Sequence, residues 1–289
     1  MGRWGGFIFV NMDAECEPFE DFIGVLSHHF DKWPLDQRYK AAHVGRIFPT
    51  NWKTVQEAFM EAYHVVATHP QLLASIGDAN SQYDWWGNVS RAITPNGTPS
   101  PHMTYEPTQQ QMFDAMVDRR LDQPPFVELG EGVTARSMAG TATREQLRPM
   151  IGDAKADALS DAEMADSIYY TLFPNFHPWG SYNRIVYRFR PWGDDPERSL
   201  MECMFLAPFD GERPKPAEFR LLGEHDDWTL APELGLLARV FNQDSFNLPK
   251  VQKGMHTLQI RKPGVTLAVY QETKIRHFHN LLSEWIARP

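Results

Sequence analysis

The most informative segment of the sequence is Asn51-Trp-Lys-Thr-Val-Gln-Glu-Ala-Phe-Met-Glu-Ala-Tyr-His-Val-Val-Ala-Thr-His-Pro70. Its middle is rich in good helix formers, so it predicts a helix that stops at Pro70. Glu61 and His64 are three residues apart and share one face of that helix. His64 and His69 are five residues apart, so on a regular helix their rings would diverge by about 140°. If both rings bind one ion, the helix must unwind or bulge between them.

A carboxylate far along the chain completes a candidate metal-binding set. Asp244 lies in Phe241-Asn-Gln-Asp-Ser-Phe-Asn-Leu-Pro249, and with His64 and His69 it gives two imidazoles and one carboxylate. That set holds non-haem Fe(II) and leaves positions open for dioxygen and substrate. Each residue also has a simpler interpretation. The chain has 11 histidines, so a nearby pair arises readily by chance, and Asp244 alone would more often cap a helix.

Taken together, these segments resemble a known family. The first resembles the iron-binding segment of Rieske non-haem iron oxygenases, the ring-hydroxylating oxygenase α subunits, through Asn51-Trp52-Lys53, Glu57, Glu61-Ala62-Tyr63-His64 and His69-Pro70. The second resembles the segment that supplies their carboxylate ligand, through Asp244, Gln252 and Gly254. The resemblance runs from about Trp4 to the C-terminus, although Ala58 departs from the Asn that often follows the first Glu.

The resemblance implies a mononuclear Fe(II) bound by His64, His69 and Asp244. Glu61 would match the acidic residue that connects this iron to a Rieske cluster. Many dioxygenases of the family have Asp there, whereas Glu is more similar to monooxygenases acting on choline- and carnitine-like compounds. The resemblance also implies that O2 is used to hydroxylate or dihydroxylate a small apolar or aromatic substrate. The electrons would come from a Rieske-cluster domain, usually on a neighbouring subunit of a homotrimer, or from a ferredoxin and reductase.

The composition limits the classes of protein to consider. The chain has 289 residues, 42% of them hydrophobic and 22% charged, which is typical of a globular protein with a substantial core. Its net charge of -9 argues against a nucleic-acid partner, because phosphate binding needs a basic surface. No apolar run reaches the roughly 20 residues of a membrane-spanning helix, and the start does not resemble a signal peptide. Two cysteines fit a reducing compartment, so we expect a cytoplasmic protein with no membrane partner.

The cysteines also bear on the Rieske cluster. A Rieske [2Fe-2S] centre needs two Cys and two His ligands, which the family carries as Cys-x-His and Cys-x-x-His. Neither Cys16 nor Cys203 has a histidine two or three residues later, so we expect no [2Fe-2S] cluster in this chain. We therefore interpret residues 1-38 as a remnant strand and linker after a missing Rieske domain, and residues 39-289 as the mononuclear iron catalytic domain.

Hydrophobic periodicity predicts strands and helices without a βαβ order. Strands are predicted at Gly6–Val10, Tyr39–Pro49, 168–172, 185–190 and Leu200–Leu206, with a hairpin turn at Pro191–Pro196. Helices are predicted at Phe19–His29, Thr108–Arg119, Thr141–Ala165, Leu230–Val240, Leu248–Met255 and Glu272–Ala287. Asn88–Pro107 contains four prolines and predicts a long ordered loop. This order predicts the α+β class. The resemblance implies a helix-grip (START-like) catalytic domain, with a twisted antiparallel sheet packed against helices.

Candidates for the substrate pocket come from aromatic and histidine side chains outside the ligand segments. Pockets are mostly lined by aromatic and apolar groups, which suggests Trp86, His102, Phe176, His177 and Trp179. Core packing, or a surface position for the histidines, is at least an equal interpretation of each. Other functions also stay open at this point: a monooxygenase or demethylase of a quaternary amine, a non-catalytic carrier of a hydrophobic ligand, and a zinc hydrolase with the same three ligands.

Overall fold

The computed structural model describes residues 1–117, 124–258 and 264–288. Its strands are β1 (Gly2–Trp4), β2 (Phe7–Phe9), β3 (Arg38–Phe48), β4 (Gln82–Trp86), β5 (Val89–Thr94), β6 (Ser167–Leu172), β7 (Phe176–Pro178), β8 (Ile185–Trp192), β9 (Asp195–Pro208) and β10 (Arg220–Leu222). Its α-helices are α1 (Phe19–Ile23), α2 (Val25–His29), α3 (Trp52–Glu57), α4 (Val65–Thr68), α5 (Gln109–Met116), α6 (Ala135–Ile151), α7 (Asp153–Asp157), α8 (Asp161–Ala165), α9 (Leu236–Leu258) and α10 (Thr273–Ile286). The predicted end of a helix at Arg119 lies outside the described residues.

An eight-stranded sheet forms the centre of the fold, with the strand order β10-β3-β9-β8-β7-β6-β5-β4. Neighbouring strands are antiparallel, except that β10 runs parallel to β3. The predicted hairpin is present as β8 and β9, and Gly193 takes a φ of 61° at its turn. The predicted α+β class, with an antiparallel sheet against helices, is therefore confirmed.

One face of the sheet is covered by helices α3 and α9. Alternate residues of the central strands, including Phe48, Phe189 and Met201, are fully buried on this face. Val55 of α3 and Phe241 of α9 pack against them. Because α3 leads into the first candidate ligand segment and α9 contains Asp244, this packing brings the two segments to the same face of the sheet.

The opposite face is covered by the N-terminal part of the chain. Leu26 and Phe30 are buried against Val186 and Met204 of the sheet, and the aromatic residues of β1 and β2 pack beside them. Residues 1-38 thus contribute a hydrophobic cluster to the same domain as the sheet. The predicted helix at Phe19–His29 is present in two pieces, because Gly24 takes a φ of 47° between α1 and α2.

The predicted helix over Asn51–Pro70 is also broken, at a different place from the one expected. Helix α3 ends at Glu57 and α4 begins at Val65, so the break lies before His64 and not between the two histidines. Tertiary contacts compete with the helix in this break. The ring of Phe59 packs against Tyr187 at a centroid distance of 5.1 Å, and the backbone N–H of Ala62 donates to Tyr83 Oη.

Two further predictions of secondary structure were wrong. The expected interruption around Asp244 is absent, because α9 is one continuous helix of 23 residues. The polar residues that suggested a break bond to other parts of the chain; Asn247 Nδ2, for example, donates to Thr68 Oγ1. The predicted loop at Asn88–Pro107 begins with strand β5. Its buried residues include Ser90 and Thr94, so the strand has no clear hydrophobic alternation.

Within the described residues, no helix is both long enough and apolar enough to cross a membrane.

Burial of the N-terminal segment predicts a clear effect on stability. Leu26 is 0% exposed, so Leu26→Ala should lower the free energy of unfolding by about 2–5 kcal/mol, through lost burial and an unfilled cavity. Denaturant unfolding measures this. Leu230→Ala, at a side chain that is 56% exposed, is the control and should change little. Equal effects of the two changes would show that residues 1-38 do not belong to the folded core.

Candidate metal centre and substrate cavity

Three side chains from two distant segments meet at one point. His64 immediately precedes α4, His69 immediately follows it, and Asp244 projects from the middle of α9. One ligand atom from each residue lies within 4.8 Å of the other two. The two imidazole rings converge at the ends of the short helix α4, with ring centroids 5.2 Å apart, and His69 itself has left helical geometry at φ -126° and ψ 55°.

The ring of His64 is held by Glu61. Glu61 Oε1 accepts from His64 Nδ1 at 2.6 Å, and Glu61 Oε2 accepts from the backbone N–H of His64 at 3.0 Å. A carboxylate can only accept, so Nδ1 carries the proton and the neutral ring presents its Nε2 lone pair elsewhere. That Nε2 lies 3.8 Å from Asp244 Oδ1.

The charges around His64 favour a cation. Burial acts to lower the pKa of His64, but the charge and hydrogen bond of Glu61, together with the charge of Asp244, outweigh it and raise the pKa above its ordinary value. The surroundings that favour a proton on this ring favour a metal cation for the same electrostatic reason. No Lys or Arg side chain among the described residues is paired with Glu61 or Asp244.

The ring of His69 is held by Gln243, which belongs to α9. Its Nδ1 lies 2.8 Å from Gln243 Oε1, so that nitrogen donates and Nε2 again carries the lone pair. Nε2 faces Asp244 Oδ1 at 3.1 Å. His69 and Asp244 are 2% and 3% exposed, respectively, so this contact is shielded from water.

This arrangement fits a metal ion. Two imidazole lone pairs and a carboxylate oxygen point at one another in a buried place, where they repel unless a cation lies between them. Two neutral imidazoles and one carboxylate are the donor set that holds non-haem Fe(II) with open coordination positions. In each histidine the other ring nitrogen is engaged by the protein, which is how metal-binding histidines are usually oriented.

A cavity of about 560 Å³ opens beside these three residues. Its walls come from the sheet, from helices α5, α6 and α9, and from the segments on either side of α4. They include Phe59, Leu72, Phe113, Tyr169, Trp179, Tyr187, Leu237 and Phe241. Burial raises the pKa of Tyr169 and of Tyr187 well above the ordinary value, so both phenols stay neutral. Among the described lining residues, charge belongs only to the candidate metal centre and Glu61, and there is no Lys or Arg. The cavity is suited to an apolar molecule.

Of the five residues suggested for the substrate pocket, Trp179 lines the cavity. Its ring stacks on Tyr169 at a centroid distance of 5.3 Å and meets Tyr187 at 90°. The other four lie elsewhere. Trp86 is on edge strand β4, where its ring contacts His29 and lies under the guanidinium of Arg91.

The remaining three suggested residues have structural surroundings. Phe176 is buried on the opposite face of the sheet, where its ring contacts Phe7 and Phe9. His177 is buried too; it bonds through its two ring nitrogens to Thr171 and Gln56, and burial holds its pKa well below the ordinary value. His102 lies on the exposed loop before α5. Core packing therefore accounts for Phe176 and His177.

Several residues of the site were not singled out from the sequence. Gln243 holds His69, and the cavity walls include Phe59, Tyr169 and Tyr187. The alternation at 185–189 did show that Tyr187 lies on one face of a strand. It could not show that this face borders the cavity, because that depends on which strands and helices pack together.

Comparison with known proteins establishes the family. Residues 27–288 match the family model described as the ring hydroxylating alpha subunit, catalytic domain. The chain belongs to this family, as the resemblance predicted.

The most informative relatives differ in the substrates that their names state. A glycine betaine monooxygenase oxygenase subunit from Chromohalobacter salexigens is 24% identical over 217 residues, which cover 72% of this chain and 44% of that protein. A solved quaternary ammonium Rieske monooxygenase has a TM-score of 0.56 at 16% identity, covering 98% of this chain and 60% of that chain. A naphthalene 1,2-dioxygenase variant bound to phenanthrene has a TM-score of 0.55 at 17% identity, covering 96% and 62%.

These matches set limits on what is established. At such identities the solved structures show the fold, which they share with this chain over nearly its whole length. The chain spans less than two thirds of each of the three relatives.

The cavity predicts how the protein binds apolar molecules. Ala139 of α6 lines the cavity, so Ala139→Phe should fill part of it and weaken binding of the uncharged fluorescent probe N-phenyl-1-naphthylamine about tenfold, since overfilling a packed site costs about 1–3 kcal/mol. A fluorescence titration measures this. Ala154→Phe, at an exposed position on α7, is the matched control. Equal affinity of both variants and wild type would place the probe outside this cavity.

Proposed function

We propose that this chain is the catalytic domain of a Rieske-type non-haem iron oxygenase, and that His64, His69 and Asp244 bind one Fe(II). The observation that carries the proposal is the meeting of two Nε2 lone pairs with a carboxylate oxygen, all within 4.8 Å, at the wall of an apolar cavity. When bound there, iron would supply the activation of O2. The residues of the chain orient the two rings, hold substrate beside them and exclude water.

The proposed reaction is hydroxylation or dihydroxylation of a small apolar or aromatic substrate. In support, no Lys or Arg lines the described part of the cavity, so the carboxylate of a betaine would find no cationic partner there. The name of the naphthalene 1,2-dioxygenase agrees with an aromatic substrate.

Oxidation of a quaternary amine is the second candidate, and specific observations favour it. Two of the relatives described above are named for glycine betaine and for quaternary ammonium compounds. In addition, Trp179 and Tyr187 line the cavity, and aromatic rings attract a quaternary ammonium group. Glu61 also matches the residue that such monooxygenases have. The two candidates are distinguished by measuring the turnover rates of naphthalene and of glycine betaine by this protein in a complex with an electron donor.

The proposed partner is a Rieske-cluster domain, on a neighbouring subunit of a homotrimer or on a separate electron-transfer protein. Glu61 is buried at 9% exposure and bonds directly to His64, so it can connect the metal centre to a donor outside. Next to it, exposed apolar side chains lie on the turn before His64, on α4 and on α9: Tyr63 is 40%, Val66 36% and Phe246 68% exposed, respectively. We place the donor on this surface, and the protein in the cytoplasm.

Iron content tests the proposed metal centre. After anaerobic loading with Fe(II) and removal of excess metal, wild type should retain about one iron per chain and His64→Ala should retain almost none, because one of three ligands is lost. Inductively coupled plasma mass spectrometry counts the iron. His225→Ala, at an exposed position on the surface, is the matched control. No iron in wild type, with apolar probe binding intact, would favour the carrier function.

The role of Glu61 gives a separate prediction. In Glu61→Gln the amide oxygen can still accept from His64 Nδ1, so iron should stay bound. Loss of the negative charge should slow electron transfer about 10–100-fold, as measured by single-turnover kinetics with a reduced Rieske donor. Glu57→Gln, which changes a carboxylate that bonds to His279, is the control. Turnover at the wild-type rate in Glu61→Gln would contradict this role.

A further inference from the structure

A pair of glutamines joins the two segments that supply the candidate ligands. Gln71 Nε2 donates to Gln243 Oε1 at 2.7 Å, and Gln243 Nε2 donates back to Gln71 Oε1 at 3.1 Å. Gln243 Oε1 also accepts from His69 Nδ1 at 2.8 Å. One amide oxygen thus receives two hydrogen bonds, and the two amides form a closed ring with each other.

The positions of the two glutamines in the chain give this ring its significance. Gln71 lies two residues after His69, in the 3-10 turn Pro70–Leu72. Gln243 directly precedes Asp244 in α9. The pair therefore connects the turn that carries one candidate ligand to the helix that carries another. Gln71 is exposed, so burial of apolar surface does not explain its position.

A comparison with His64 shows why two residues are needed to fix the tautomer of His69. Glu61 bonds to His64 with a carboxylate, which has no donor and so fixes the proton on Nδ1 by itself. Gln243 bonds to His69 with an amide, which can present either its oxygen or its NH2 group. Only the oxygen leaves the His69 lone pair on Nε2, where it faces Asp244. Reciprocal pairing with Gln71 opposes rotation of the Gln243 amide by itself, because that rotation would bring like groups together across the pair.

We propose that Gln71 and Gln243 are positioning residues for metal binding: Gln243 sets the tautomer of His69, and Gln71 sets the orientation of the Gln243 amide. This inference rests on the proposed function, in that it assumes a metal ion at His64, His69 and Asp244. It assigns no catalytic contact to either glutamine. Gln71 acts only through Gln243, so the test compares single variants of each glutamine with the double variant.

Binding of Co(II) alone, followed by its visible absorption, measures the effect on the metal centre. Gln243→Leu keeps the size of the side chain but removes the acceptor, so it should weaken Co(II) binding about 10–100-fold. Gln71→Leu should weaken it less, about 2–10-fold, since one orienting hydrogen bond pair is lost. Gln243→Glu restores an acceptor at the same place and should bind close to wild type. Gln82→Leu, at an exposed glutamine that bonds to Asp84, is the matched control.

The double variant and the tautomer separate positioning from general damage. Gln71→Leu combined with Gln243→Leu should bind Co(II) no more weakly than Gln243→Leu alone, because the proposal has Gln71 act only through Gln243. Long-range ¹⁵N NMR of the metal-free protein should show a proton on Nδ1 of His69 in wild type and Gln243→Glu. In Gln243→Leu it should show a mixture of tautomers.

Each other outcome overturns the proposal. Additive effects of the two leucine variants, equal losses in Gln243→Leu and Gln243→Glu, or an unchanged tautomer in Gln243→Leu would show that the glutamines do not act in this way. Wild-type binding by Gln243→Leu would overturn this inference while leaving the proposed metal centre intact. Failure of wild type itself to bind Co(II) would overturn the proposed function, and this inference with it.

Discussion

The structure depends on one buried contact, in which the carboxylate of Asp244 faces the Nε2 atoms of His64 and His69. A carboxylate this deeply buried is costly to desolvate unless an opposite charge is close. Among the described residues, no Lys or Arg is paired with it, and its Oδ1 lies 3.1 Å from His69 Nε2 and 3.8 Å from His64 Nε2. Because Glu61 and Gln243 hold the protons on the opposite ring nitrogens, both rings turn a lone pair towards this carboxylate. The arrangement is therefore electrostatically complete only with a cation in the middle.

The fold serves this contact through one interrupted helical segment, before His64, and one uninterrupted helix, through Asp244. Helix α3 stops early, so the chain can turn before His64 and start the short helix α4. Helix α9, in contrast, continues through Asp244 and carries Gln243, Asp244 and Asn247 to the α4 segment. Both helices pack on one face of the sheet, and the apolar cavity lies between that face and the helices above it.

Much of the fold could be predicted from the sequence where patterns are local. The alternation at 185–190 and 200–206 gave the hairpin of β8 and β9, and helical spacing gave α10. Strand β5 was missed because its buried residues are small or polar, as Ser90, Ala92 and Thr94 show. The candidate ligands could be named from ligand chemistry and family resemblance. The cavity walls could not, because a residue such as Phe176 becomes core or pocket only through the packing of distant elements. The same holds for the pairing of Gln71 with Gln243, whose partners are 172 residues apart.

The most direct test of this account is an anomalous-difference map at the iron absorption edge, from crystals of the Fe(II)-loaded protein. We expect a single iron peak, coordinated by Nε2 of His64, Nε2 of His69 and the carboxylate of Asp244, with Nδ1 of each ring still bonded to Glu61 or Gln243. An iron peak elsewhere in the protein, or coordination through Nδ1 of either histidine, would contradict it.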